Sequence, residues 1–149
     1  MGMGIVYILI INCIVVTLSV MLHYQFLYWL TQYFRAMGGG RHRFRIALGV
    51  LGALLAHTAE IWLFAFAYYF IGLSSQLGYL EGNFDGSLMD CVYYSFSVFS
   101  TLGFGDIQPV GEIRFLTGIE SLTGLLLIAW SASFLYFEMH RYWGVDNGA

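Results

Sequence analysis

Three stretches of this chain, at about residues 5–34, 46–72 and 111–136, are apolar enough and long enough to cross a lipid bilayer, and that constrains everything else. Spanning the hydrocarbon takes roughly 20 apolar residues as helix. In lipid every backbone N–H and C=O must be satisfied inside the protein, so spans of this length are read as α-helices. Composition agrees. The chain is 59% hydrophobic and 10% charged, against about 45–50% and about 25% in soluble domains. Its eleven tyrosines and four tryptophans suit two lipid–water boundaries. A net charge of −3, with six arginines and no lysine, excludes a nucleic-acid partner, because phosphate binding needs a basic stripe.

Residues 1–40 are expected to form an N-terminal transmembrane helix and a cytoplasmic linker, and 41–149 a second unit. In the first stretch, Ile5 to Leu22 reads as membrane-embedded. The following His23-Tyr24-Gln25-Phe26-Leu27-Tyr28-Trp29 is aromatic and amphipathic, and is expected at the interface. The start of the chain has neither a positive run nor a small-residue cleavage site, so it does not read as a secretory signal. Gly38-Gly39-Gly40 breaks the helix, and Arg41-His42-Arg43-Phe44-Arg45 forms a basic loop. The positive-inside rule puts that loop and the C-terminus in the cytoplasm and the N-terminus outside, with Arg114 as a single exception. The protein is thus expected in the cell membrane as a multi-pass protein. Cys13 and Cys91 lack metal-ligand spacing and read as packed free thiols.

The segment between the second and third spans is the most informative. Leu77 to Ser87 is polar, acidic and Gly-rich, as an external loop would be. Leu88 to Ser100 is apolar and aromatic, but its 13 or so residues are too few to span, which fits a re-entrant helix. A Gly-rich extended segment follows. Non-helical backbone is tolerated at membrane depth only where it is buried in protein or lines water, so a short helix and a Gly-rich strand between two spans form a pore-loop pattern.

Ser100-Thr101-Leu102-Gly103-Phe104-Gly105-Asp106 resembles the selectivity filter of potassium channels, whose TVGYG loop coordinates ions through backbone carbonyls. The resemblance runs from the second span to the C-terminus and is nearest to the small channels with two spans around one pore loop. It implies an outer helix at about 46–73, a pore helix at about 88–100, a filter at 101–106 and an inner helix at about 111–138. Successive carbonyls can face one axis only if some residues take positive φ, which Gly103 and Gly105 permit. The Thr101 hydroxyl would complete the innermost site. K+ would then be held at Thr101, Leu102, Gly103 and Phe104, with Leu102 and Phe104 wedging the strand against the pore helix and Asp106 at the outer mouth. By the same resemblance Tyr93, Tyr94 and Ser97 fall at the pore-helix cuff and Gly124 at the inner-helix hinge. Placing the hinge at Gly124 puts Leu125, Ile128, Ala132, Ser133 and Tyr136 on one cavity-lining stripe. The segment departs from the commoner pattern at Leu102, where Val or Ile is usual, at Phe104, where Tyr is usual, and at Ser97, where some members carry a carboxylate. One filter strand is one wall of a cage, so a homotetramer in the bilayer is expected. The function implied is passive potassium-selective conduction, with no enzyme activity and no cofactor beyond permeant K+. A non-selective cation channel and a non-conducting modulatory subunit are the rival readings.

Within the spans, His57 and Glu60 lie three apart on one face, and Glu120 lies in the third span. Intramembrane charges need partners. The three are expected to form a polar network that clamps the helices, with proton sensing as the alternative. The H-x-x-E spacing of His57 and Glu60 could suggest a metal pair, but two ligands without Cys or further His nearby make a poor site. The aromatic run Trp62 to Phe70 reads as lipid-facing belt and packing.

Overall fold

The computed structural model describes residues 2–37, 42–74 and 76–143, and the Gly38–Arg41 break and the tail after Trp143 lie outside them. The fold is mostly helical. In chain order it has α1 (Gly2–Ala36), α2 (His42–Ser74), β1 (Tyr79–Gly82), α3 (Leu88–Phe99), β2 (Ile107–Val110) and α4 (Ile113–Trp143). Three of these helices, α1, α2 and α4, are long and apolar enough to cross a membrane, while α3 is a shorter apolar helix.

Each long helix buries one stripe at three- and four-residue steps, the spacing of a single helical face. On α1 the stripe is Ile8, Asn12, Val15, Ser19, His23, Leu27, Leu30 and Phe34. On α4 it is Ile113, Leu116, Glu120, Thr123, Leu127 and Ser131. Side chains off these stripes are mostly apolar and exposed, as lipid contact demands. Gly4 lies against the Glu112 side chain, Gly52 against Phe26, and Gly49 against Phe34 and Leu135. So α1 and α4 run in the same direction and α2 runs against both. The core sits where α2, α3 and α4 meet, around Phe64, Tyr68, Cys91, Phe99, Ile113 and Leu116.

Several sequence expectations change. α1 is one unbroken helix of 35 residues, about 52 Å long at 1.5 Å per residue, and His23 is fully buried rather than interfacial. α2 begins at His42, so Arg43 and Arg45 belong to its first turn and not to a loop. The aromatic run splits by face: Phe64 and Tyr68 are buried, whereas Phe66 and Phe70 are exposed. Cys91 is buried, but Cys13 is exposed. The acidic loop is not wholly irregular either. β1 pairs antiparallel with β2, Tyr79 opposite Val110 and Gly82 opposite Ile107, so the chain entering α3 is laced to the chain leaving residue 106.

Candidate functional site

α3 starts where local chemistry dictates. Ser87 takes the extended N-cap conformation and its side chain accepts a hydrogen bond from the Asp90 N–H at 3.1 Å. The Asp90 carboxylate accepts from the Asp85 N–H at 2.8 Å, and the Asp85 carboxylate from the Ser87 N–H at 2.7 Å. Hydrogen bonding to Ser87 holds the Asp85 carboxyl below its usual range. The sequence Ser87-Leu88-Met89-Asp90 is a capping-box pattern, a readable signal for this boundary.

α3 ends just before the candidate filter. The Ser100 N–H bonds the Phe96 carbonyl at 3.1 Å, the Thr101 N–H bonds Val98 at 2.9 Å, and the Gly103 N–H reaches back to Ser97 at 3.1 Å. From there the backbone alternates. Thr101, Gly103 and Gly105 have φ of 62°, 57° and 81°, and the residues between them do not share this sign. Thr101 is the one non-glycine residue with positive φ among the described residues, a conformation that costs about 1–3 kcal/mol and persists only where its surroundings impose it.

Side chains of α3 hold this segment. The Ser97 hydroxyl accepts from the Phe104 N–H at 3.1 Å. The Tyr93 ring stacks on Phe104, centroids 6.2 Å apart and planes 6° from parallel. The Tyr93 hydroxyl donates to the Asp106 carboxylate at 2.9 Å, and the Gln108 amide donates to the Gly105 carbonyl at 3.2 Å. Tyr94 turns elsewhere: it pairs with the Thr117 hydroxyl at 3.0 Å and meets Tyr68 edge-on at 5.0 Å. Neighbours on a helix point about 100° apart, so only one member of the Tyr pair can face the filter. Leu102 and Phe104 are 65% and 63% exposed. Phe104 therefore wedges against α3 through Tyr93, while Leu102 has no such seat among the described residues. An open cleft of about 600 Å³ lies beside the segment, lined by Tyr94, Ser97, Gly103, Gly105, Arg114 and Thr117 among others.

Gly124 lies where α4 crosses the end of α3, and a Cβ there would run into the Phe99 carbonyl oxygen and ring. Leu125, Ile128, Ala132, Ser133 and Tyr136 are all exposed on the single chain, and Ser133 spends its hydroxyl on the Ala129 carbonyl at 2.9 Å.

The intramembrane polar residues form two clusters rather than one. Glu120 accepts from the Tyr68 hydroxyl at 2.5 Å and is also bonded to Ser95, whose hydroxyl lies 2.9 Å from the Ile61 carbonyl. This cluster ties α4 to α2 and α3. Glu60 meets His57 Nδ1 at 2.8 Å with one carboxylate oxygen and His23 Nδ1 at 2.8 Å with the other. That second cluster ties α1 to α2. Sequence reasoning missed His23 and Tyr68. His23 carried a signal, an ionisable residue within a long apolar stretch, which its aromatic followers masked. Tyr68 carried none, being one aromatic in a run of them.

A family model described as "Ion channel" matches residues 56–137, which takes in the C-terminal half of α2, α3, the candidate filter and most of α4. The chain is 32% identical over 80 residues to the inward rectifier potassium channel Kirbac3.1 of Paramagnetospirillum magnetotacticum. That match covers 53% of this chain and only 25% of the relative. No solved structure matches. Because the family model matches more than half of the chain, the chain belongs to the potassium-channel pore family of ion channels.

Proposed function

We propose that four copies of this chain form a passive, potassium-selective channel whose filter is residues 101–106. The observation that carries this reading is the alternation of positive φ at Thr101, Gly103 and Gly105 directly after a short capped helix. Alternating handedness turns successive carbonyls toward a common side, and a ring of such carbonyls replaces the hydration shell of a monovalent cation without adding net charge. The relative's printed name, a potassium channel, agrees with this choice of ion.

α3 is then a re-entrant pore helix, and α2 and α4 are the outer and inner helices. The single chain leaves Leu102 and Phe104 uncovered beside an open cleft. Unlike surfaces on one protomer make a heterologous contact, and such contacts close into rings. Asp106 stands at the outer mouth, and the exposed stripe from Leu125 to Tyr136 lines the inner cavity, with Gly124 as its hinge. Arg43 and Arg45 at the start of α2 favour the cytoplasmic side, which puts the N-terminus and the β1–β2 pair outside.

Native mass spectrometry in mild detergent, paired with rubidium uptake into liposomes, tests the assembly and the conduction together. Four chains per particle and uptake driven by a potassium gradient are expected. Uptake by a stable monomer or dimer, or a tetramer that passes nothing, contradicts the reading.

A further inference from the structure

The fold brings together three residues that lie far apart in the sequence: His23 from α1, and His57 and Glu60 from α2. Each offers one ligand atom, and the three atoms lie within 4.8 Å of one another. His23 and Glu60 are fully buried, and His57 keeps 14% of its side chain exposed. The two imidazole rings stack at 5.3 Å with planes 24° apart, so both Nδ1 atoms address one carboxylate.

This arrangement has a charge to resolve. A buried carboxylate needs a compensating cation, because desolvation of the ion costs several kcal/mol. Among the described residues the hydrogen-bond partners of Glu60 are the two histidines, so the charge is resolved either by protons held on the cluster or by an ion held between the three side chains. We propose that the cluster binds one divalent transition-metal ion per chain, through His23 Nδ1, His57 Nδ1 and a Glu60 oxygen. Two imidazoles and one carboxylate form a recognised three-ligand set for zinc and its neighbours, with the fourth position left to an exchangeable ligand. Tetrahedral ligands on 2.0–2.1 Å bonds stand roughly 3.3 Å apart. The two His–Glu60 contacts of 2.8 Å, each to a different carboxylate oxygen, would lengthen by about half an ångström, and the widest of the three ligand-atom spacings, within 4.8 Å, would close to admit the ion. Permeant K+ and Mg2+ are the wrong occupants, since hard cations take oxygen ligands.

A second observation supports the site. Coordination through Nδ1 requires the ring proton on Nε2, and a ligating histidine normally donates that proton to an outer partner. His23 Nε2 lies 3.4 Å from the Ser131 hydroxyl on α4, which can accept that proton in the metal-bound state. The ion would join α1 to α2 directly and touch α4 at one remove. The His57 ring also packs on Phe99 at the end of α3, with centroids 5.8 Å apart. Occupancy would therefore fix the first helix onto the part of the chain that carries the pore loop.

The test uses the full-length, tag-free protein in lipid nanodiscs, stripped with a chelator and titrated with Co2+. One Co2+ per chain with the intense visible absorption of a tetrahedral site is expected. His57→Gln keeps an amide N–H for the Glu60 carboxylate while removing the metal donor, and should weaken binding at least ten-fold with assembly intact. His23→Ala should do the same, and His140→Ala should leave binding unchanged. Zn2+ should displace the Co2+. Absence of binding at one equivalent, or binding that survives His57→Gln, overturns the proposal and leaves a cluster that holds protons only. None of these readouts depends on ion flux, so they stand or fall apart from the conduction reading.

Discussion

At the scale of single residues, the filter segment is held by a small number of directed bonds, and Asp106 shows how to separate their roles. Its carboxylate accepts from the Tyr93 hydroxyl, yet it remains exposed. A ring of four such carboxylates would raise cation density at the mouth, an effect that salt screens over about 8 Å at physiological strength and about 3 Å at 1 M. Asp106→Asn should cut single-channel conductance by roughly a factor of a few in low salt and much less in high salt. Tyr93→Phe removes the bond but leaves the charge. It should loosen the candidate filter, read as a lower unfolding temperature in detergent, without changing the salt dependence. Equal salt dependence in wild type and Asp106→Asn would mean that the carboxylate only anchors Tyr93. Glu120 is the buried counterpart. The single hydroxyl hydrogen of Ser95 cannot serve both the Ile61 carbonyl and the Glu120 carboxyl. Glutamine can donate to Ser95 and accept from Tyr68, so Glu120→Gln should preserve assembly. Glu120→Ala loses both partners and should cost about 1–3 kcal/mol, read as a lower unfolding temperature in detergent.

At the scale of elements, what the sequence disclosed and what it hid divide along physical lines. The short helix α3, the Gly-alternating segment and the three helices long and apolar enough to cross a membrane were legible, because apolar runs of these lengths separated by Gly-rich breaks have few other solutions. Which face of each span packs inward was not legible. In a uniformly apolar helix the lipid face and the protein face carry the same residue types, because lipid is as apolar as leucine. Only the polar members of a stripe mark it, as His23, Glu60 and Glu120 do here. The pairing of β1 with β2 was hidden for another reason: its four-residue strands sit in a Gly-rich, polar loop with no apolar alternation to betray them. Gly124 gains a packing role beside the hinge role that the family resemblance implies. Since a Cβ there strikes the Phe99 carbonyl, Gly124→Val should push α4 off the end of α3, costing about 1–3 kcal/mol as overpacking does. A lowered unfolding temperature and fewer tetramers on native gels are expected, whereas unchanged stability would mean that α4 pivots freely at this point.

At the scale of the whole molecule, the candidate filter segment is exposed from Thr101 to Asp106 on the single chain, and the candidate cavity stripe on α4 is exposed as well, as the proposed four-chain ring requires. α1 lies outside the matched region except through its contacts, yet it is packed along its length and tied to α2 through His23 and Glu60. In the proposed channel the first helix is built onto the pore-forming part of the chain, and the alternating backbone at 101–105 selects potassium. The reversal potential of purified channels in a planar bilayer, under opposed potassium and sodium gradients, reads this selectivity. A potential close to the potassium equilibrium value is expected, with a shift toward zero in Gly103→Ala, where a Cβ at positive φ costs roughly 1–2 kcal/mol. A wild-type reversal potential near zero, with sodium and potassium equally permeant, would contradict it.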